Sequence, residues 1–157
     1  LSDFVLTGGL DLFPIRVFEG VPQLLTLLQG PHVQGAGSWQ VVRGVRREEE
    51  TMVQASIRHL RQECGLVPQE FYCTGTVSTV FNPHADCIRL LPAFVAMIEG
   101  DPEVILSEEH VTGEWVDFEE AFRRLPPEGY HITLEIIRKR LRNGRLPKKW
   151  QLDWRDF

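Results

Sequence analysis

With 157 residues, 43% of them apolar, the chain can bury one substantial core and is short for two, so a single domain over residues 1–157 is expected. A formal charge of −5, with only Arg138-Lys139-Arg140 and Lys148-Lys149 as basic runs, argues against a nucleic-acid polymer as the main partner. No run approaches ~18 apolar residues, which argues against a helical membrane span.

The N-terminus has no basic region followed by an apolar stretch, so no secretory processing is expected. Cys64, Cys73 and Cys87 are odd in number and lack CxxC spacing, which implies neither a disulfide framework nor a zinc site and points to a reducing cytoplasm. In chain order, residues 14–18 and 23–28 are short apolar runs bounded by Gly20 and Gly30, and predict two strands joined by a turn. Residues 30–38 then predict a loop and residues 39–42 a further strand. The clearest element is a helix over 51–64, because Val53, Ile57, Leu60 and Cys64 recur every three or four residues as one core-facing stripe. Gly65 stands where a left-handed cap belongs, and Pro68 prevents continuation. Strands are predicted at 71–80, 88–99 and 114–116, the second apolar enough to be central in a sheet. Asp117 can cap a short helix through Leu125, Pro126-Pro127-Glu128-Gly129 breaks the chain, and residues 132–143 predict a last helix before a tail at 143–157. Strands before and after a mid-chain helix give an α/β layered domain, with its core over about residues 14–142.

On the helix, His59, Gln62 and Glu63 are neighbours at spacings of three and four, away from the apolar stripe. Ala55 and Ser56 lie one turn earlier and are small enough to admit a ligand to the backbone. The expectation is a shallow polar site, where Glu63→Gln would leave stability nearly unchanged because surface substitutions shift it by only about 0.5 kcal/mol.

Gly44, then Glu50 after five residues, Arg58 after seven more, Leu60, Glu63, Gly65 and Leu66 reproduce the spacing of the Nudix box, with His59 and Gln62 where the family has Glu. The chain thus resembles the Nudix hydrolases. The lead-in Trp39-Gln40-Val41-Val42-Arg43-Gly44, Glu50-Thr51, and the later Ser107-Glu108-Glu109-His110 and Glu114-Trp115-Val116 are similar to the dATP and dihydroneopterin triphosphate pyrophosphohydrolase branch. The resemblance implies an α-β-α sandwich with a mixed β-sheet, and hydrolysis of a phosphoanhydride in a nucleotide-like small molecule. It also implies helix carboxylates that hold Mg²⁺ or Mn²⁺. Three carboxylates would supply roughly −3, whereas this face supplies −1 from Glu63, so weak metal binding is expected.

Carried over residue by residue, the resemblance makes Glu63 and Glu109 the candidate catalytic residues and metal ligands, Glu109 as ligand or general base with Glu108 its alternative. His59 is either a replacement ligand for a softer ion such as Mn²⁺ or Zn²⁺, or a phosphate contact when protonated, or a drifted remnant. Glu50 and Arg58 correspond to a structural salt bridge, with Glu50 an extra ligand as the alternative reading. Gly44 and Gly65 serve backbone geometry. Trp39, as a stacking platform, and Arg43 are candidate substrate-binding residues, while Phe81-Asn82-Pro83-His84 could line a pocket and His110 could aid proton transfer. Cys87, three residues from His84, has no orienting third group and is read as a core thiol. The rival function is a Nudix module that binds a nucleotide or a protein partner without turnover. A homodimer is compatible with either.

Overall fold

The stretch GLDLFPIRVF at Gly9–Phe18 is apolar at nearly every position, and a strand of that composition needs cover on both faces. It receives it. The computed structural model describes residues 4–33 and 36–157, so residues 34 and 35 of the predicted 30–38 loop lie outside the described residues. In chain order the elements are β1 (Val5–Leu6), β2 (Gly9–Phe18), β3 (Val21–Gln29), β4 (Trp39–Gln40), β5 (Val42–Val45), α1 (Met52–Cys64), β6 (Glu70–Asn82), β7 (Cys87–Met97), β8 (His110–Asp117), α2 (Phe118–Arg124), α3 (His131–Arg140) and β9 (Gln151–Leu152). Short 3₁₀ turns at Lys148–Trp150 and Trp154–Asp156 flank β9, so the tail carries structure that its sequence did not suggest.

The strands form one mixed sheet, parallel where β7 meets β1 and β2 and antiparallel elsewhere. Alternation along β2 sends Leu10 and Leu12 to one face and Phe13 and Ile15 to the other. The first face packs on α1 through Val53, Ile57 and Leu60; the second packs on α2 and α3 through Phe118, Leu134 and Ile137. This is the expected α-β-α sandwich. Pro14 is tolerated mid-strand because β2 changes partner there, pairing with β5 over Gly9–Leu12 and with β3 over Ile15–Phe18.

Thr51 turns out to be the N-cap of α1 rather than its first residue: its hydroxyl accepts from the Gln54 amide N–H, and the Gln54 side chain accepts from the Thr51 N–H. Gly65 ends the helix at φ 68°, the left-handed geometry its position predicted. The strand expected over 39–42 is split between β4 and β5, and the last helix stops at Arg140, short of residue 143. Among the described residues no helix is long and apolar enough to cross a membrane.

Candidate active site

The C-terminal carbonyls of α1 are orphaned by helix geometry and need donors. The segment between β7 and β8 supplies them: the Ile105 N–H donates to the Cys64 carbonyl at 2.9 Å and the Ser107 N–H to the Glu63 carbonyl at 3.1 Å. Gly30 anchors the far end, its N–H donating to the Glu109 carbonyl at 2.8 Å. These bonds bring Glu109 and His110 over the end of the helix. There Glu63, Glu109 and His110 each offer a ligand atom within 4.8 Å of the others.

Glu63 is not on a shallow exposed face. It is 6% exposed, with Oε2 2.8 Å from His59 Nδ1 and Oε1 3.1 Å from His110 Nε2. Burial pushes its pKa up, but the hydrogen bonds from His110 and His59 outweigh this and hold the carboxyl below its ordinary value. The hydrogen bond to Glu63 raises the pKa of His59 in turn. His59 Nε2 meets the backbone of Val45, 3.2 Å from its N–H and 3.1 Å from its carbonyl, so both ring nitrogens are engaged and His59 lies outside the three-donor group. Gly44 makes this approach feasible, since a Cβ there would lie under 3.0 Å from three atoms of the imidazole. Its role is close contact.

The other motif positions separate. Arg58 grips Glu50 through two hydrogen bonds of 2.7 and 2.8 Å, and the arginine holds the Glu50 carboxyl down at about 2. Gln62 does not join Glu63: its side-chain oxygen accepts from Arg58 at 3.2 Å, and it lines a different hollow with Trp154 and Phe157. Ala55 and Ser56 are fully buried, Ser56 donating to the Met52 carbonyl, so neither opens the backbone to a ligand. Glu108 is exposed and outside the donor group.

A cavity of about 360 Å³ opens on the sheet, lined among others by Gln29, Trp39, Arg43, Phe81, Arg89 and Tyr130. Its link to the donor group is β3, because Gln29 is the register partner of His110. Trp39 is half-buried, with the Arg124 guanidinium 4.3 Å from its ring centre, so its packing and cavity-lining roles coexist. Arg43 is held by buried Asp11 through bonds of 2.6 and 2.8 Å and lies 4.8 Å over the Tyr130 ring. Asp11 and Arg89 escaped the sequence reading. A single acid within the apolar run GLDLFPI was the available signal for Asp11, since a buried carboxylate needs a partner; Arg89 had none. His84 stays in the turn, its N–H donating to Asn82, and Cys87 is a buried strand residue.

Two carboxylates and one imidazole suit a divalent ion of borderline hardness such as Mn²⁺ better than Mg²⁺, which favours oxygen ligands alone. The buried His110 Nδ1 has no hydrogen-bond partner, so no second contact locks the ring against adjusting to an ion. The residues present therefore fit a single metal better than a cluster.

Comparison with known proteins agrees with this architecture. A chain from Listeria monocytogenes described as a Nudix hydrolase is 22% identical, with TM-score 0.72 over 88% of this chain and 96% of that one. The Nudix domain of Shewanella oneidensis NrtR, complexed with ADP ribose, is 17% identical with TM-score 0.70 over 87% and 88% of the two chains. The Ap4A hydrolase of C. elegans is 20% identical with TM-score 0.66 over 85% and 93%. At these identities the three share the fold. An octanoyltransferase of Myxococcus xanthus is 29% identical over 118 residues, 73% of this chain but 32% of the relative, so the chain spans about a third of the length of that curated relative. The NUDIX domain model matches residues 15–139, well over half of the sequence and including every motif position described above, and the chain belongs to the NUDIX family.

Proposed function

We propose that the chain is a metal-dependent pyrophosphohydrolase that cleaves a phosphoanhydride bond in a nucleoside triphosphate or a nucleoside-diphosphate-linked compound. The observation that carries this reading is the convergence of Glu63, Glu109 and His110 next to a cavity walled by aromatic and arginine side chains. A divalent ion held by those three residues would offset phosphate charge and lower the pKa of water. In this reading Glu109, exposed at the edge of the group, would accept a proton from an attacking water, while buried Glu63 is held charged by its two imidazoles. Trp39 and Phe81 offer ring surface for a base, and Arg43 stays neutralised by Asp11. The cytoplasmic setting and a homodimeric assembly belong to the same proposal.

The second reading, a module that binds without turnover, is favoured by two observations: both Glu63 oxygens already accept from imidazoles, and Gln62, where the motif likeness points to an acid, is tied to Arg58. The match to part of a longer octanoyltransferase also fits an appended module. A substrate panel separates the two. The branch likeness nominates dATP and dihydroneopterin triphosphate, and the structural neighbours nominate ADP-ribose and Ap4A. Phosphate-containing products should appear with Mn²⁺, more slowly with Mg²⁺, and not with chelator. Saturable binding of these compounds with no product at stoichiometric enzyme would establish the module instead.

A further inference from the structure

Among the described residues that line the cavity, one arginine has no ion pair or hydrogen bond of its own. Arg43 is matched by Asp11, but Arg89, half-buried in the same wall on β7, makes no ion pair or hydrogen bond with any described residue and feels the Asp11 carboxylate only through a longer-range attraction. Drawing a guanidinium even partly out of water without an acceptor costs free energy, and arginine cannot escape by losing its proton. Glu128, the acid that also lines the cavity, is exposed on the turn before α3 and forms no bridge to Arg89. The wall thus presents an open fork of N–H donors to whatever enters.

Arg89 also sits near the path to the donor group. A Cβ built on Gly9 would be 3.5 Å from Arg89 Nη2 and 3.8 Å from the Gly44 carbonyl, and Gly44 is the residue His59 packs against on its way to Glu63. The Arg89 guanidinium and the Gly44 carbonyl therefore border the same spot beside Gly9, which puts Arg89 close to the first residue of the motif. The motif itself has lost charge. With His59 and Gln62 in place of acids, the helix face can recruit fewer divalent ions, so less metal charge is available to offset a diphosphate. A planar guanidinium, which binds phosphate oxygens through paired N–H groups, supplies the missing positive charge directly.

We propose that Arg89 is a phosphate-binding residue, recognising the diphosphate of a nucleotide in this cavity and taking over charge that metal ions would otherwise provide. The proposal rests on the nucleotide reading of the site given above, and it makes nucleotide binding in part independent of metal.

Binding of adenosine, ADP and inorganic pyrophosphate, measured by calorimetry in excess chelator, tests it. The wild-type chain should bind ADP at least tenfold more tightly than adenosine. Arg89→Gln should erase that preference while leaving adenosine affinity unchanged, and Arg89→Lys should keep part of it. Phenylglyoxal modification of the wild-type chain, mapped by mass spectrometry, needs no variant: ADP and pyrophosphate should slow labelling of Arg89 and adenosine should not. Failure of the wild type to bind ADP, equal affinity for ADP and adenosine, an Arg89→Gln variant that keeps the preference, or labelling indifferent to ADP would each overturn the assignment. Arg89-dependent ADP binding without turnover under any metal would remove the hydrolase reading and leave this one standing, whereas turnover with Arg89-independent binding would do the reverse.

Discussion

The imidazole of His59 occupies the space that a side chain on Gly44 would fill, and from there its Nδ1 donates to Glu63 while its Nε2 meets the backbone of Val45. The glycine and the histidine are therefore one unit. Gly44→Ala should destabilise the chain by about 1–3 kcal/mol, the usual cost of forcing an extra methyl into a packed site. In a His59→Ala background the same change should cost little, because the obstructing ring is gone. Urea denaturation of the four chains measures this coupling, and strictly additive effects would show that the contact is not what constrains residue 44.

Glu63→Gln should lower stability by about 1.5–3 kcal/mol, since it replaces a buried charge that accepts from two imidazoles. The sequence alone predicted almost no change, having placed Glu63 on an open face. The variant should also lose any rise in Tm on adding Mn²⁺. An unaltered denaturation midpoint would mean that the two histidines do not depend on the carboxylate.

His59→Glu and Gln62→Glu should differ, although the likeness of the motif points to an acid at both positions. A carboxylate at residue 59 arises beside Glu63, and Mn²⁺ affinity should increase tenfold or more, about 1.4 kcal/mol. At residue 62 it arises against Arg58 and outside the donor group, and affinity should change little. Mn²⁺ titration followed by electron paramagnetic resonance distinguishes them, with equal gains counting against this geometry.

The Glu50–Arg58 bridge gives a pH signature. The folded-state pKa of Glu50, about 2, lies below its ordinary 4.5, so the bridge contributes fully above about pH 5 and is lost as pH falls from 4.5 towards 2. Glu50→Gln should be less stable than wild type by about 1–2 kcal/mol at pH 7, and that gap should close on acidification through this window. Thermal melts at pH 7, 4.5 and 3 test the trend. A gap that stays constant would assign the loss to packing.

Thiol chemistry should be selective. Burial pushes the Cys64 thiol up to about 12, Cys87 is buried in β7, and Cys73 is half-buried in β6. Brief iodoacetamide treatment at pH 8, read by peptide mapping, should modify Cys73 and spare Cys64 until the chain unfolds. Prompt labelling of Cys64 would contradict its burial at the end of α1.

What the sequence determined by itself is what short separations control. The helix with its Gly65 cap follows from spacings of three and four residues, where backbone periodicity alone decides which side chains share a face, whereas the Glu50–Arg58 bridge was implied by the likeness of the motif. The likeness of the motif carried the family and the α-β-α layering. Periodicity sets the angle at which Glu63 leaves the helix but not what lies over it. That depended on the segment before β8 bonding to the end of α1, which set His110 against Glu63 across 47 residues. The Asp11–Arg43 pair, 32 residues apart, and the place of Arg89 in the cavity wall likewise exist only because β2, β5 and β7 are brought together in one sheet. No local pattern encodes such pairings, because the order of strands in a sheet is decided by which faces the whole chain can bury together.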